Sequence, residues 1–531
     1  MPPMTETPPA PAQPAAELEE HRNNQTDVFA VHGADPEVLA YAMAKYSRSA
    51  LSMKESLREI SSQRAEQFLN TFYFQYGHRS IADLAHVAFA VERLSLLAAI
   101  TLVDEQRWDG QERSTRYQNF RKSGWYMPDF ATDAGAATLY RETVEHLFAT
   151  YHSVSEAVFT SLKDQVRKPE EMKQESYDRT LRARAFDVAR YLLPLATNTS
   201  LGQIVNARTL ETQVSRLLSS PVAEIRQLGE KLQAAASGAA WNVHGDDLAA
   251  LQREIAALDP ALGERAAALL TRDVKTAPTL VKYAAPNDYQ IRTRAELVQA
   301  AAELLRDEPI EGAPLVDLVD DMESLEIELA TTLLYGQCHH PWRQIHRHVA
   351  ALSEARRNEI IDLGVRHRGR HDELLREFSS GHALRFDILM DIGGFRDMHR
   401  HRRCVQVLQS FTPDHGYAVP EGVAKAGVQP LYEEAIRAAH TAYQSIAAGK
   451  APEAASSAQC VLPLATKNRA LFKMDFAEAL YISELRSAPQ GHFSYRQVAW
   501  EMYRAVERKH PALAKYFRAT DFEEPIDLLK R

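Results

Sequence analysis

The pentapeptide LPLAT occurs twice in this chain, at 193–197 and at 462–466, an offset of 269 residues. A repeat of this kind constrains the fold more than any composition figure, because both copies must then build the same substructure. Each copy closes a helix-like run, AFDVARYL or AASSAQCV. Each is followed by a polar stretch and then by a helix ending at an arginine, NARTLETQVSR (206–216) or DFAEALYISELR (475–486). Upstream, FYFQYGHRS (72–80) has an echo in LREFSSGHA (375–383). Four landmarks in the same order predict two homologous halves, 28–310 and 311–531, divided near RDEPIEGAP. The Pro/Ala/Glu-rich residues 1–27 precede them as a disordered tail without the apolar core of a signal peptide.

Most of both halves reads as helix. Apolar residues recur every three or four positions over 37–59, 135–166, 170–193, 294–306, 314–335, 430–448 and 492–508. Pieces compatible with β structure lie at STRYQNF, YAAPNDYQIR and SFTPDHGYAVP. The most apolar window, 81–100, carries Asp83, His86, Glu92 and Arg93. It predicts a buried core helix and not a membrane span.

The net charge of −9 argues against bulk nucleic-acid or membrane-surface binding, while leaving room for a local basic pocket. Three cysteines without a CxxC pair point to a reduced, cytoplasmic protein. Adjacent histidines in CHHPW (338–342) point to different sides of any element and have no carboxylate at zinc spacing, so no metal is expected.

Three polar groups stand out. FRDMHRHRRCVQ (395–406) holds six basic side chains in the nine positions 396–404, between apolar flanks. Arginine forks hold phosphates and stack on flat rings, which suits a phosphorylated cofactor with an aromatic head. In QERSTRY (111–117), Glu112, Ser114 and Arg116 alternate and share one face of an extended segment. A carboxylate, a hydroxyl and a guanidinium so placed could hold a nucleotide; they could also form a salt-bridged strand edge. Finally, Arg190, Arg208 and Arg216 flank the first Leu-Pro break, with Asn206 at a helix start.

Together these stretches resemble the flavin-dependent thymidylate synthases, whose motif has the form RHRxxSxNExSxRY. The first half matches in GHRS (77–80), QERSTRY, VARYLLPL, VNAR and AEIR (223–226). The second half matches in SGH, RHR (400–402), VLPLAT and ELR (484–486). The first half has Asp104, Glu105 and Gln106 where the family has RHR. The second half keeps RHR but continues RCVQVLQSFT, without the rest of the motif, and has Gln459 where the first half has Arg190. Each half therefore keeps the part of the motif that the other lost.

The resemblance implies an α/β (α+β), helix-dominated fold of two tandem halves, each a mixed sheet packed with helices. It implies conversion of dUMP to dTMP with FAD, NADPH and methylene-tetrahydrofolate. It further implies a homodimer that forms a pseudo-tetramer. By the same resemblance Arg216 and its counterpart Arg486 are catalytic. Arg400, His401, Arg402 and Asn206 bind flavin. Glu112, Ser114, Arg116, Arg190 and Arg208 bind the nucleotide. A flavoenzyme acting on another nucleotide, or a non-catalytic flavin- or nucleotide-binding relative, remains compatible with the split motif.

Overall fold

The computed structural model describes residues 29, 31, 33–45, 53–59, 79–116, 120, 123–130, 133–319, 325–369, 372, 375–378, 384–449, 453–515 and 517–529. The tail 1–27, Gly77, His78, Tyr117 and the SGH of the second half lie outside them. Strands β1 (His86–Ser95), β2 (Asp109–Glu112) and β3 (Asn198–Asn206) form one sheet in the order β1–β3–β2. Strands β4 (Val316–Val319), β5 (Leu384–Asp391), β6 (Val405–Leu408) and β7 (Lys467–Met474) form another in the order β4–β5–β7–β6. Helices make up most of the rest. The sheets, expected to be mixed, are antiparallel in every pairing among the described residues. The returning strand, β3 or β7, inserts between two earlier strands of its half, β1 and β2 or β5 and β6, and runs against both.

The window 81–100 is not a helix. It is β1 followed by the short helix Leu96–Leu102. Val87, Phe89 and Val91 recur with period two, which a strand satisfies and a helix does not. The run 314–335 likewise divides into β4 and the helix Leu325–Tyr335. In the other direction, YAAPNDYQIR leads into a helix, Asp288–Leu304, capped by Asn287.

The two LPLAT segments lie against each other. Leu195 N–H donates to Leu462 O at 2.9 Å, and Leu464 N–H donates to Leu193 O at 3.0 Å. Ala196 N–H donates to Cys460 O at 2.8 Å, and Ala465 N–H to Tyr191 O at 2.9 Å. The 269-residue offset exchanges the members of each pair, so a local twofold passes between Pro194 and Pro463, which form an antiparallel bridge. Leu192, Leu193, Leu195, Leu462 and Leu464 are wholly buried there, in one core that runs through both halves.

The same twofold relates Ser95 to Asp391. Each caps a short helix, Leu96–Leu102 or Ile392–Met398. Ser95 donates its hydroxyl to Glu224 at 2.6 Å, whereas Asp391 accepts the hydroxyl of Ser494. The hydroxyl and the carboxylate have changed places between the halves. Burial pushes both acids, Glu224 and Asp391, above the usual carboxylate range, despite the hydroxyl that each faces.

A second core lies within the later part of the chain. The buried face of Asp288–Leu304 (Tyr289, Leu297, Ala301) packs with Ala330, Leu333, Leu334 and Trp342. Near the second LPLAT, burial pushes His415 and His440 down to about 4. The unfolded chain takes up those protons near pH 6.5 and the folded chain only near pH 4, so in that window the unfolded state binds more protons. Stability is therefore expected to fall as pH drops from 6.5 towards 4. Thermal unfolding across that window checks this; a flat Tm would contradict it.

Candidate functional site

The twofold sets the correspondence between the motif remnants. Glu112 pairs with Leu201 on β3, and Leu408 pairs with Ala470 on β7. Leu201 and Ala470 differ by the repeat offset, so Leu408 stands where the first half has Glu112. From the paired helix caps, Asp104, Glu105 and Gln106 stand where the second half has Arg400, His401 and Arg402.

The first half's QERSTRY meets the second half's basic run just ahead of its RHR. Arg396, on the Ile392–Met398 helix, forms a buried ion pair with Glu112 at the end of β2, and its other nitrogen lies 3.5 Å from Thr115 Oγ1. Arg190, only 2% exposed, donates to Thr115 Oγ1 (3.3 Å) and Gly393 O (3.2 Å), with Asp397 at 3.5 Å. Arg116 donates to Asp187 Oδ1 (2.8 Å), Tyr495 OH (2.8 Å) and Gln490 O (3.2 Å). Arg486 lies against the Tyr495 ring, as Arg116 does, and its Nε donates to His401 Nε2 at 2.8 Å. Ser114 accepts from the Arg116 backbone N–H.

Asp397 sits among these cations. Burial alone would raise its carboxyl, but Arg190, Arg116, Arg400 and Arg486 together hold it below the ordinary range. Five guanidinium groups (116, 190, 396, 400 and 486) face three carboxylates (112, 187 and 397). The cluster thus carries a local positive excess in a chain of net charge −9. Burial lowers the His401 pKa. Arg486 adds to that effect, and Glu478, 3.4 Å away, opposes it. Its Nε2 is then free to accept from Arg486.

Arg400 is exposed and makes no ion pair or hydrogen bond among the described residues. Arg402 reaches Asp109 (3.0 Å) and covers the Trp108 ring at 4.9 Å. Asn206 and Arg208 lie elsewhere. Asn206 caps the helix Ala207–Leu218, and Arg208 pairs with Asp83. Arg216 is also apart: it donates to Glu105 (3.0 and 2.7 Å) and lines a cleft of about 590 Å³ with Arg294 and Arg376. The structure therefore brings together Glu112, Ser114, Arg116, Arg190, Arg400, His401 and Arg486. Sequence reading did not single out Asp397, Asp187, Thr115 or Tyr495. Of these, Asp397 alone carried a signal, as the one acid inside the basic run.

The family pattern described as "Thymidylate synthase complementing protein" matches residues 30–239 and again 317–512. The chain belongs to this family. The double match agrees with the local twofold. Over nearly its full length the chain is similar to a UPF0159 protein of Chlamydia muridarum, 29% identical across 94% of this chain and 93% of the relative. A UPF0159 protein of Thermoplasma acidophilum is 26% identical over 90% and 94%. A flavin-dependent thymidylate synthase of Clostridium tetani is 25% identical over 33% of this chain and 67% of its own. Among solved structures, the flavin-dependent thymidylate synthase of Helicobacter pylori complexed with FAD and dUMP is 16% identical. It covers 38% of this chain and 89% of its own, with a TM-score of 0.26.

Proposed function

We propose that this chain is a flavin-dependent thymidylate synthase with one composite site, its first half gripping the nucleotide and its second half the flavin. The contact of the first half's motif remnants with the second half's basic run carries this reading: Arg396 on Glu112, and Arg190 on Asp397. Two fused copies no longer need the full motif twice. The halves divide, in this reading, between 310 and 311, and the Asp288–Leu304 helix near the end of the first packs with helices of the second. Two chains pair into a pseudo-tetramer.

The residues present fit the two ligands. Arg190 Nε and Arg396 Nε are buried without a hydrogen-bond partner among the described residues, Asp397 Oδ2 faces the Arg190 guanidinium at 3.5 Å, and Arg400 is unpaired. Glu112, Ser114, Arg116 and Arg190 would hold dUMP. Arg400, His401 and Arg402 would hold FAD. Asn206 lies five positions along β3 from the partner of Glu112, roughly 17 Å at strand rise, within reach of a ligand as long as FAD. A bound flavin would supply the hydride, drawn from NADPH, and methylene-tetrahydrofolate the carbon. The chain's own groups orient the nucleotide and place positive charge beside the pyrimidine. Arg486, held by neutral His401 and by Tyr495, is preorganised to stabilise negative charge that develops on that ring.

Two measurements test this. The purified chain should show the absorbance of oxidised flavin, and its gene should rescue a thymidine-requiring strain. A chain that takes up no FAD would favour a non-catalytic relative. Flavin without rescue would favour another nucleotide substrate. Arg400→Ala and Arg402→Ala should each weaken FAD binding by about 1.5–3 kcal/mol, the scale of a hydrogen bond to a charged group. Both variants should keep their Tm. Arg400 has no partner to lose, and the Arg402–Asp109 pair, whose carboxylate is exposed, contributes about 0–1 kcal/mol. Undiminished flavin retention in both would refute the assignment.

A further inference from the structure

The local twofold carries the composite cluster onto a second place in the chain, and there the structure holds a cavity of about 680 Å³. Six of the cluster's polar side chains have uncharged counterparts in its walls, beside the charged Asp104, Arg226, Arg376 and Glu377. Leu408 replaces Glu112, Phe411 replaces Thr115, and Gln459 replaces Arg190. Ile100 replaces Arg396, Thr101 replaces Asp397, and Ile225 replaces Tyr495.

Part of its wall comes from outside the two family-matched spans. Ile291, Arg294, Ala295 and Val298, one face of the Asp288–Leu304 helix, line it. Ile291 and Val298 keep large exposed apolar surfaces, 42% and 48%. Arg294 makes no hydrogen bond or ion pair among the described residues, whereas its neighbour Arg376 is neutralised by Asp104 at 2.6 Å. Two buried lining atoms also lack hydrogen-bond partners among the described residues. They are Gln409 Oε1, on a residue 1% exposed, and His399 Nε2, on a residue 8% exposed with the Asp104 carboxylate 3.7 Å away. Leaving such atoms unsatisfied costs about 1–3 kcal/mol each, which a ligand with matching polar edges would recover.

We propose that this twin cavity is a second ligand site, which takes a flat apolar molecule bearing one acidic group and no phosphate. Arg294 meets the acid, His399 and Gln409 meet a polar edge, and Ile100, Ile225 and Leu408 cover the rings. One unpaired guanidinium suits a carboxylate or sulfonate. A nucleotide phosphate would meet Thr101 and Leu408 where the composite cluster offers Asp397 and Glu112 with their arginines.

The probe is 8-anilinonaphthalene-1-sulfonate, titrated into the full chain and followed by fluorescence. Saturable binding at one site per chain is expected. Arg294→Ala should weaken it at least tenfold, and Leu408→Glu, which puts the sister site's carboxylate into the apolar wall, should weaken it further. Arg400→Ala, in the composite cluster, should leave the probe's affinity unchanged. Added FAD or dUMP should not displace it. Absence of saturable binding, displacement by FAD or dUMP, or loss with Arg400→Ala would overturn the proposal. So would indifference to Arg294→Ala, a test that stands even if Leu408→Glu fails to fold.

Discussion

Arg486→Ala is expected to lower thymidylate formation by about 10²–10³-fold, the usual loss when one preorganised charge-stabilising donor is removed. Arg216→Ala is expected to leave turnover within about twofold. The two arginines occupy equivalent places at the ends of equivalent helices, Phe476–Ser487 and Ala207–Leu218. Their surroundings differ. Arg486 lies on Tyr495, beside Arg116, and its Nε is held by a histidine that burial keeps neutral. Arg216 is neutralised by Glu105, which stands where the second half has that histidine. A guanidinium already paired with a carboxylate has little field left for a developing anion. The loss in Arg486→Ala should appear mainly in kcat, because the interaction strengthens in the transition state. Steady-state kinetics on both variants decides it. Equal losses would mean that both half-sites react, and a larger loss in Arg216→Ala would move the chemistry to the other side of the twofold.

The same comparison explains what the sequence could and could not convey. The repeat was legible because LPLAT sits on the twofold, where each copy packs against the other, so both copies meet the same restraint. The meeting of QERSTRY with the basic run was legible because each half lacked what the other held. The choice between Arg216 and Arg486 was not legible, since both end their helices alike and differ only in what lies across from them. Asp397 was hidden for a related reason: inside a basic run it reads as a local neutraliser, and only folding surrounds it with Arg190, Arg116 and Arg486 from elsewhere in the chain. Residues 81–100 misled because overall apolarity outweighed their period. Val87, Phe89 and Val91 alternate within β1, and the unbroken apolar run belongs to the short helix after it.

Asp387→Ala is expected to destabilise the second sheet by about 3–5 kcal/mol, the cost of leaving a buried charge without its counterpart. Asp387 lies on β5 and is 1% exposed. It accepts from Tyr335 OH (2.7 Å), Trp342 N–H (2.9 Å) and Arg469 Nη1 (3.0 Å). Arg469, on the neighbouring β7, is equally buried, and no water can replace the lost carboxylate without opening the sheet. Tyr335 and Trp342 belong to the helices that cover that sheet, so their hydrogen bonds go with it. Replacing both partners with apolar residues of similar volume, Asp387→Leu with Arg469→Met, should cost much less, because no charge is then stranded. Denaturant unfolding of the three proteins measures both numbers, and adding the single variants Asp387→Leu and Arg469→Met gives the pair's coupling. A loss below about 1 kcal/mol in Asp387→Ala would mean that Arg469 finds another partner or solvent. The effect should reach the composite cluster. β5 ends at Asp391, the cap of the helix that carries Arg396 and Asp397. A second sheet that opens therefore releases Glu112 and Arg190 from their partners in the other half, and flavin binding should fall in step with the stability lost.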